Sequence, residues 1–286
     1  MALIANILFP VDFSPSCIAM APYVRRAATL LSAKVTLVHV VDLASYNGFE
    51  LYVRPLSEVS DDQTTIGRER LDLFLAHEFP LSEHPRILAA GDAAKLIAQI
   101  AKSGFDLVIM PTHAGTFRRM LLGSTTAKVL DDVDCPVVTS RHAERIVPRP
   151  LEHREWLCTI GLGEDSERVL RFAHLAAVEA RSNLHIIHAI QSTDPSLPVR
   201  LDLEEKIQSE ERQEARQRIA DLQRRVGSQA PVKIVVGPIK DALLEAARRF
   251  DADLLMIGRG PHGSHGRLRD LTYAVVRDSP FPVLSI

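Results

Sequence analysis

Two clusters in this 286-residue chain have the residue types and spacing for anion chemistry. The first is Pro10-Val11-Asp12-Phe13-Ser14, where a carboxylate follows an apolar run. The second, Met110 to Thr126, reads MPTHAGTFRRMLLGSTT. It leaves an apolar run through Met110, Pro111, Thr112 and His113, passes Arg118 and Arg119, and returns to a helical pattern behind Gly123-Ser124-Thr125. Glycine lets backbone N–H groups approach phosphate oxygens, and a helix opened by Gly-Ser turns its positive end toward an anion. Ser124 is equally suited to be an ordinary helix N-cap, and the residues alone leave both readings open.

The elements that must position these clusters follow from apolar runs alternating with helical patterns. Ala5 to Val11 reads as a first strand, and Ser14-Pro15 supplies an N-cap and an N1 proline for a helix to about Leu31. Lys34 to Val41 is a second, β-branched run, followed by a helix from about Asp61 to Phe79. Arg86 to Ala90, Asp106 to Met110 and Pro136 to Thr139 complete the strands, with helices over Ala93 to Ser103 and Ser124 to Asp132 between them. Strand and helix in alternation imply parallel strands joined by right-handed crossovers, in an open sheet covered on both faces.

The second half repeats this order. GFDLVIM at Gly104 returns as DADLLMI at Asp251, LVHV at Leu37 as IIHA at Ile186, and DCPVVTS at Asp134 as SPFPVLSI at Ser279. Offsets such as Gly91 to Gly237 and Pro136 to Pro282 lie near 146 residues, so a whole domain is duplicated. The expected division is residues 1–142, a polar linker carrying two prolines over 143–153, and residues 154–286. Leu201 to Val226 stands apart as a charge-dense helix with a thin apolar stripe at Leu203, Ile207, Ile219, Leu222 and Val226, read as a solvated outer helix.

Composition narrows the function. With 34 basic and 36 acidic residues the net charge is -2, so no positive field gathers nucleic acid or an anionic membrane. Three cysteines without CxxC spacing argue against a disulfide framework or a zinc ribbon and suit a reducing cytoplasm. No run reaches the roughly 18 apolar residues of a membrane span, and MALIANILFPVDFS reads as a strand, not a leader. There is no G-x-S-x-G elbow, no Walker A loop and no early G-x-G-x-x-G, so no catalytic residue is assigned and any ATPase activity is expected to be feeble. His262 and His265 with His113 lack the further ligands of a metal site, and His39 and His188 read as satisfied core histidines.

These motifs resemble the universal stress protein family, over nearly the whole chain and as two tandem copies. The carriers are Pro10-Val11-Asp12-Phe13-Ser14, the His39-Val40 pair, MPTH followed by LLGS at Leu121 to Ser124, and CPV at Cys135 to Val137. The resemblance implies two Rossmann-like α/β domains, each an open five-stranded parallel sheet in the order 3-2-1-4-5 with helices on both faces. The ends of strands one and four then frame the crevice where such sheets bind ligands. It further implies a cytoplasmic stress-response protein whose first domain binds ATP or a related adenine nucleotide, with Mg2+, at Pro10, Asp12, Val40, Met110, Pro111, Thr112, His113, Gly123, Ser124 and Thr125. Asp12 would meet adenine or ribose and the backbone near Val40 the adenine edge. The two copies would pair within the chain, and a homodimer would form, through the fifth strands, as in relatives.

The chain departs from the nucleotide-binding pattern of the family, G-x-x-G, nine residues, then G-S or G-T. Pro111 and Ala114 replace the first two glycines, and eight residues separate Ala114 from Gly123. Proline removes an N–H donor and the methyl of Ala114 limits close approach, while Gly115, Arg118 and Arg119 are the available substitutes. In the second copy the position of Asp12 falls near Gly161, and the loop GRGPHGSHGRLRDLTY from Gly258 enters its helix without Gly-Ser, so this copy is expected to bind no ATP in the family manner. An alternative reading stands beside the nucleotide one: a ligand-free interaction module with both crevices vestigial. A weak nucleotide hydrolase is a third.

Overall fold

The computed structural model describes residues 2–41, 56–112, 123–141, 154–191, 201–260 and 267–286. The chain forms two compact units, Met1–Leu151 and Glu152–Ile286. The linker expected over 143–153 falls outside the described residues.

In the first unit, β1 (Asn6–Pro10) leads to α1 (Pro15–Leu31). Ser14 caps α1 by accepting the Cys17 N–H at 3.3 Å, with Pro15 at the first helical position, as the sequence predicts. The helix ends where Ser32 turns left-handed at φ 52°. Then come β2 (Lys34–Val41), α2 (Leu56–Leu73), β3 (Arg86–Ala90), α3 (Ala93–Ala101), β4 (Leu107–Thr112), α4 (Ser124–Asp132) and β5 (Val137–Arg141). The predicted helix over Asp61 to Phe79 is displaced: α2 starts earlier and stops at Leu73. Leu75 takes φ 50°, and the Phe79 N–H returns to the Leu75 carbonyl at 2.8 Å. That turn brings Phe79, fully buried, edge-on to Phe9 of β1 at 6.0 Å between ring centroids.

The strands are parallel in the order β3-β2-β1-β4-β5. Ile7 stands opposite Val35 on one side and Leu107 on the other, and Val108 opposite Val137. β1 is buried from Ile7 to Pro10 and all of β4 is buried, as expected for strands covered on both faces. Asp106, just before β4, clamps the start of β1 by accepting the Ala5 and Asn6 N–H groups at 2.9 Å each.

The second unit repeats the plan. It comprises β6 (Glu155–Thr159), α5 (Ser166–Ala180), β7 (Asn183–Gln191), α6 (Leu201–Val226), β8 (Val232–Gly237), α7 (Ile239–Arg249), β9 (Leu254–Ile257), α8 (Arg267–Asp278) and β10 (Val283–Ser285). Its parallel order is β8-β7-β6-β9-β10. Trp156 pairs with Leu184 and Leu254 as Ile7 pairs with Val35 and Leu107. Asp253 repeats the clamp, accepting the Arg154 N–H at 2.7 Å, here from full burial. Of the stripe of α6, Ile219 and Leu222 are buried and Val226 is half-buried, with Ala215 buried beside them, while the described glutamates and arginines of the helix face water. No helix among the described residues is long and apolar enough to cross a membrane.

Candidate functional site

The order β2-β1-β4 makes the carboxyl ends of β1 and β4 neighbours whose connections depart in opposite directions. A cleft of about 350 Å³ opens there. It is lined by Pro10, Asp12, Val40, Met110, Pro111, Gly123, Ser124 and Thr125, eight of the ten residues expected at the site. Thr112 turns elsewhere: it is buried in β4 and its hydroxyl donates to the Ser140 carbonyl at 3.3 Å. His113 lies outside the described residues, as do Ala114, Gly115, Arg118 and Arg119.

Asp12 is held at the mouth by its own turn. Its Oδ1 accepts the Ser14 N–H at 3.0 Å and the Cys17 Sγ–H at 3.2 Å. Burial first, and the Asp12 charge second, push the Cys17 thiol up to about 12, so it serves as a hydrogen-bond donor and not as a nucleophile. Phe13 adopts a left-handed φ of 63°, unusual for a residue with a side chain, and lays its ring 4.1 Å from that of His39. Arg70 stands over the other side of Phe13 at 4.5 Å. His39 Nδ1–H donates to the Val11 carbonyl at 2.8 Å, and burial lowers its pKa, leaving a neutral imidazole at the cleft wall.

Ser124 is not the N-cap of α4. That position is Gly123, at φ −57° and ψ 140°, and a glycine has no side chain with which to cap the helix. The first turn of α4 borders the cleft, and its N-cap residue supplies no side-chain acceptor. Asp12 is the one charged residue among the described lining residues, so what these residues offer an anion is backbone N–H. Pro111, expected at the start of a loop, lies within β4 opposite Ser140, because the strand runs through Thr112. Cys17, His39 and Thr126 also line the cleft. The spacing of Cys17 five residues after Asp12, one turn into a capped helix, was the signal that would have placed it there.

The family model of the universal stress protein family matches residues 4–141 and again 155–286. The chain belongs to the universal stress protein family. Universal stress protein Rv2623 of Mycobacterium tuberculosis is 26% identical over 271 residues, spanning 92% of this chain and 89% of the relative. Universal stress protein MJ0531 of Methanocaldococcus jannaschii is 26% identical over 148 residues, covering 50% of this chain and 85% of its own. Among solved structures, a universal stress protein from Archaeoglobus fulgidus superimposes with a TM-score of 0.67 at 21% identity, covering 98% of this chain and 97% of that one, a likeness of fold. The tandem universal stress protein organisation read from the repeats is thereby shown.

The second universal stress protein domain presents its own crevice at the same place, about 760 Å³ in volume. Ile160 N–H donates to the Ile187 carbonyl as Val11 does to Val38, which puts Gly161 at the position of Asp12 and Ser166 at that of Cys17. His188 Nδ1–H donates to the Ile160 carbonyl at 2.7 Å, repeating His39. Leu162 repeats the left-handed turn of Phe13 at φ 59°. The far end differs. Asp165 Oδ2 accepts the Gly260 N–H at 3.2 Å and lies so close to Gly258 that a Cβ there would stand 2.7 Å from it. Asp270, in the first turn of α8, also lines the crevice.

Proposed function

We propose that the first domain binds ATP or a related adenine nucleotide, with Mg2+, in the cleft between the ends of β1 and β4, and that occupancy is read by a partner in a cytoplasmic stress response. The observation that carries this reading is the uncapped start of α4 at Gly123, opening on the same cleft as Asp12 and the Val40 segment. The base and ribose would lie toward Asp12 and Val40, and the phosphates toward Gly123, Ser124 and Thr125. Among the described residues no group of three or more metal-binding side chains occurs, so Mg2+ would ride on phosphate oxygens and water. Among the described residues no nucleophile–base pair stands in the cleft, where Cys17 is a protonated thiol and His39 donates to backbone. Binding without turnover is the activity this geometry supports.

Titration calorimetry with Mg·ATP tests the reading on the wild-type chain, Asp12→Ala and Gly123→Val. The backbone of Gly123 suits valine, so that substitution removes close approach without straining the turn. Wild type is expected to bind and both variants to lose at least tenfold in affinity, about 1.4 kcal/mol. Equal affinity in all three chains would reject the site. No binding at millimolar ATP would support the alternative, an interaction module, which Pro111 favours by withdrawing an N–H from the end of β4. Sedimentation with and without ATP measures the proposed self-association.

A further inference from the structure

The second domain contains a buried hydroxyl with nothing to bond. Ser166 is 3% exposed and lines the crevice, yet among the described residues its Oγ has no hydrogen-bond partner. A buried hydroxyl left in this state is costly, and native proteins carry few of them. Its counterpart shows what is missing. Cys17 gives its hydrogen to Asp12, and where the carboxylate should be the second domain has Gly161, with open space for 4 Å around the place of a Cβ. The crevice is open on the side where the internal acceptor was removed.

The opposite end has gained what the first domain lacks. Where phosphate would meet loop amides and a helix start, Asp165 already takes the Gly260 N–H and Asp270 places a negative charge in the first turn of α8. Two carboxylates there repel a phosphate, Asp165 occupies the Gly260 donor, and Lys240, the cation on the described lining, is already engaged by Asp278 at 2.8 Å. Between the ends, the wall is apolar, formed by Ile160, Val169, Leu243 and Ile257, and the His188 contact with the Ile160 carbonyl preserves the base end of the first domain's cleft.

From these observations we infer that the second domain binds an unphosphorylated nucleoside, whose ring or ribose acceptor receives the Ser166 hydroxyl hydrogen in the space that Asp12 fills in the first domain. Asp241, on the lining of the crevice and paired through Oδ1 with Lys240 at 3.5 Å, would accept from sugar hydroxyls, and the 5′ end would face Asp165 and Asp270 as a neutral hydroxyl. The ligand class rests on the nucleotide reading of the first domain; the orphaned donor and the carboxylates do not.

The test uses the full chain carrying Asp12→Ala, which silences the first cleft, titrated in a calorimeter with adenosine, guanosine, cytidine and uridine and, separately, with ATP. At least one nucleoside is expected to bind at one per chain, at least tenfold more tightly than ATP. Adding Gly161→Asp supplies the missing acceptor from within and fills the space, so binding is expected to vanish while the melting temperature holds or rises. Adding Ser166→Ala instead is expected to weaken the nucleoside at least tenfold. Saturation by none of the four nucleosides at millimolar concentration, or nucleoside binding that survives Gly161→Asp and Ser166→Ala unchanged, overturns the inference. Nucleoside binding to wild type that disappears with Asp12→Ala alone also overturns it, by placing the ligand in the first cleft. ATP binding that Asp12→Ala abolishes still upholds the first-domain reading in each of these cases.

Discussion

The two crevices share a backbone and differ in where they keep a carboxylate. In the first domain Asp12 sits at the end of β1 and the start of α4 is uncapped; in the second, the end of β6 carries Gly161 and the acids stand at Gly258–Gly260 and in the first turn of α8. Each domain thus keeps its carboxylates at one end of the crevice, and the acidic end is exchanged between them. Duplication preserved the turn, including its left-handed Phe13 and Leu162 and the two histidines bonded to Val11 and Ile160. Divergence acted on what the turn holds. A crevice that has lost one ligand pattern is therefore not shown to be vestigial by that loss, since moving a charge leaves a differently poised site.

The largest expected effect comes from filling Gly258. A Cβ there would stand 2.7 Å from Asp165 Oδ2 and 2.9 Å from Val169 Cγ2, so Gly258→Val forces Asp165 off the Gly260 N–H. A loss of about 2–3 kcal/mol confined to the second domain is expected from such overpacking. At the equivalent place in the first domain Pro111→Val should cost less, because the strand already houses a bulky buried side chain there. Hydrogen exchange over β9 and β4 reads the two domains separately. Equal protection loss in both would break the claim that Asp165 has taken over the cradle of the second domain.

A smaller effect has opposite signs in the two halves. Cys17→Ala removes a donor from Asp12 and opens a buried space, and should destabilise the first domain by about 1–2 kcal/mol. Ser166→Ala removes a hydroxyl that has no acceptor and should stabilise the ligand-free second domain by about 0.5–1 kcal/mol. Domain-resolved denaturation checks both, and a destabilising Ser166→Ala would mean that the hydroxyl is satisfied in solution.

Much of this was legible in the residues. Alternating β-branched runs and helical patterns, with GFDLVIM and DADLLMI at matching places, were enough for the duplicated parallel sheet, because strand burial and capping are local in sequence. The crossing of β1 and β4 at the cleft required the strand order, which the resemblance supplied. What escaped was set by tertiary context. The end of α2 depends on Leu75 turning left-handed so that Phe79 can reach Phe9, and no breaker residue marks it. Pro111 continues β4 because its neighbour β5 reaches that far. Asp165 could not be read as a partner of Gly260, 95 residues away in the chain.

The smallest effect concerns acid, and it tests whether Asp12 shapes the electrostatics of its own cleft. His39 has its pKa lowered chiefly by burial, offset by its bond to Val11 and by the charge of Asp12, and lowered further by Arg70. Below the unfolded histidine value of about 6.5 the unfolded chain takes up a proton that the folded chain refuses. Stability of the first domain should therefore fall as pH drops from about 6.5 toward the folded pKa of His39, and level off below it with respect to this residue. Asp12→Asn withdraws an attraction for the protonated ring, so the His39 resonance should titrate at still lower pH in that variant and the acid loss should extend further. Proton NMR of the His39 ring measures both, with His39→Gln assigning the signal. A titration left unchanged in Asp12→Asn would place the Asp12 carboxylate outside the field of the imidazole. The end of β1 would then be a structural cap, and the contrast with Gly161 would concern hydrogen bonding alone.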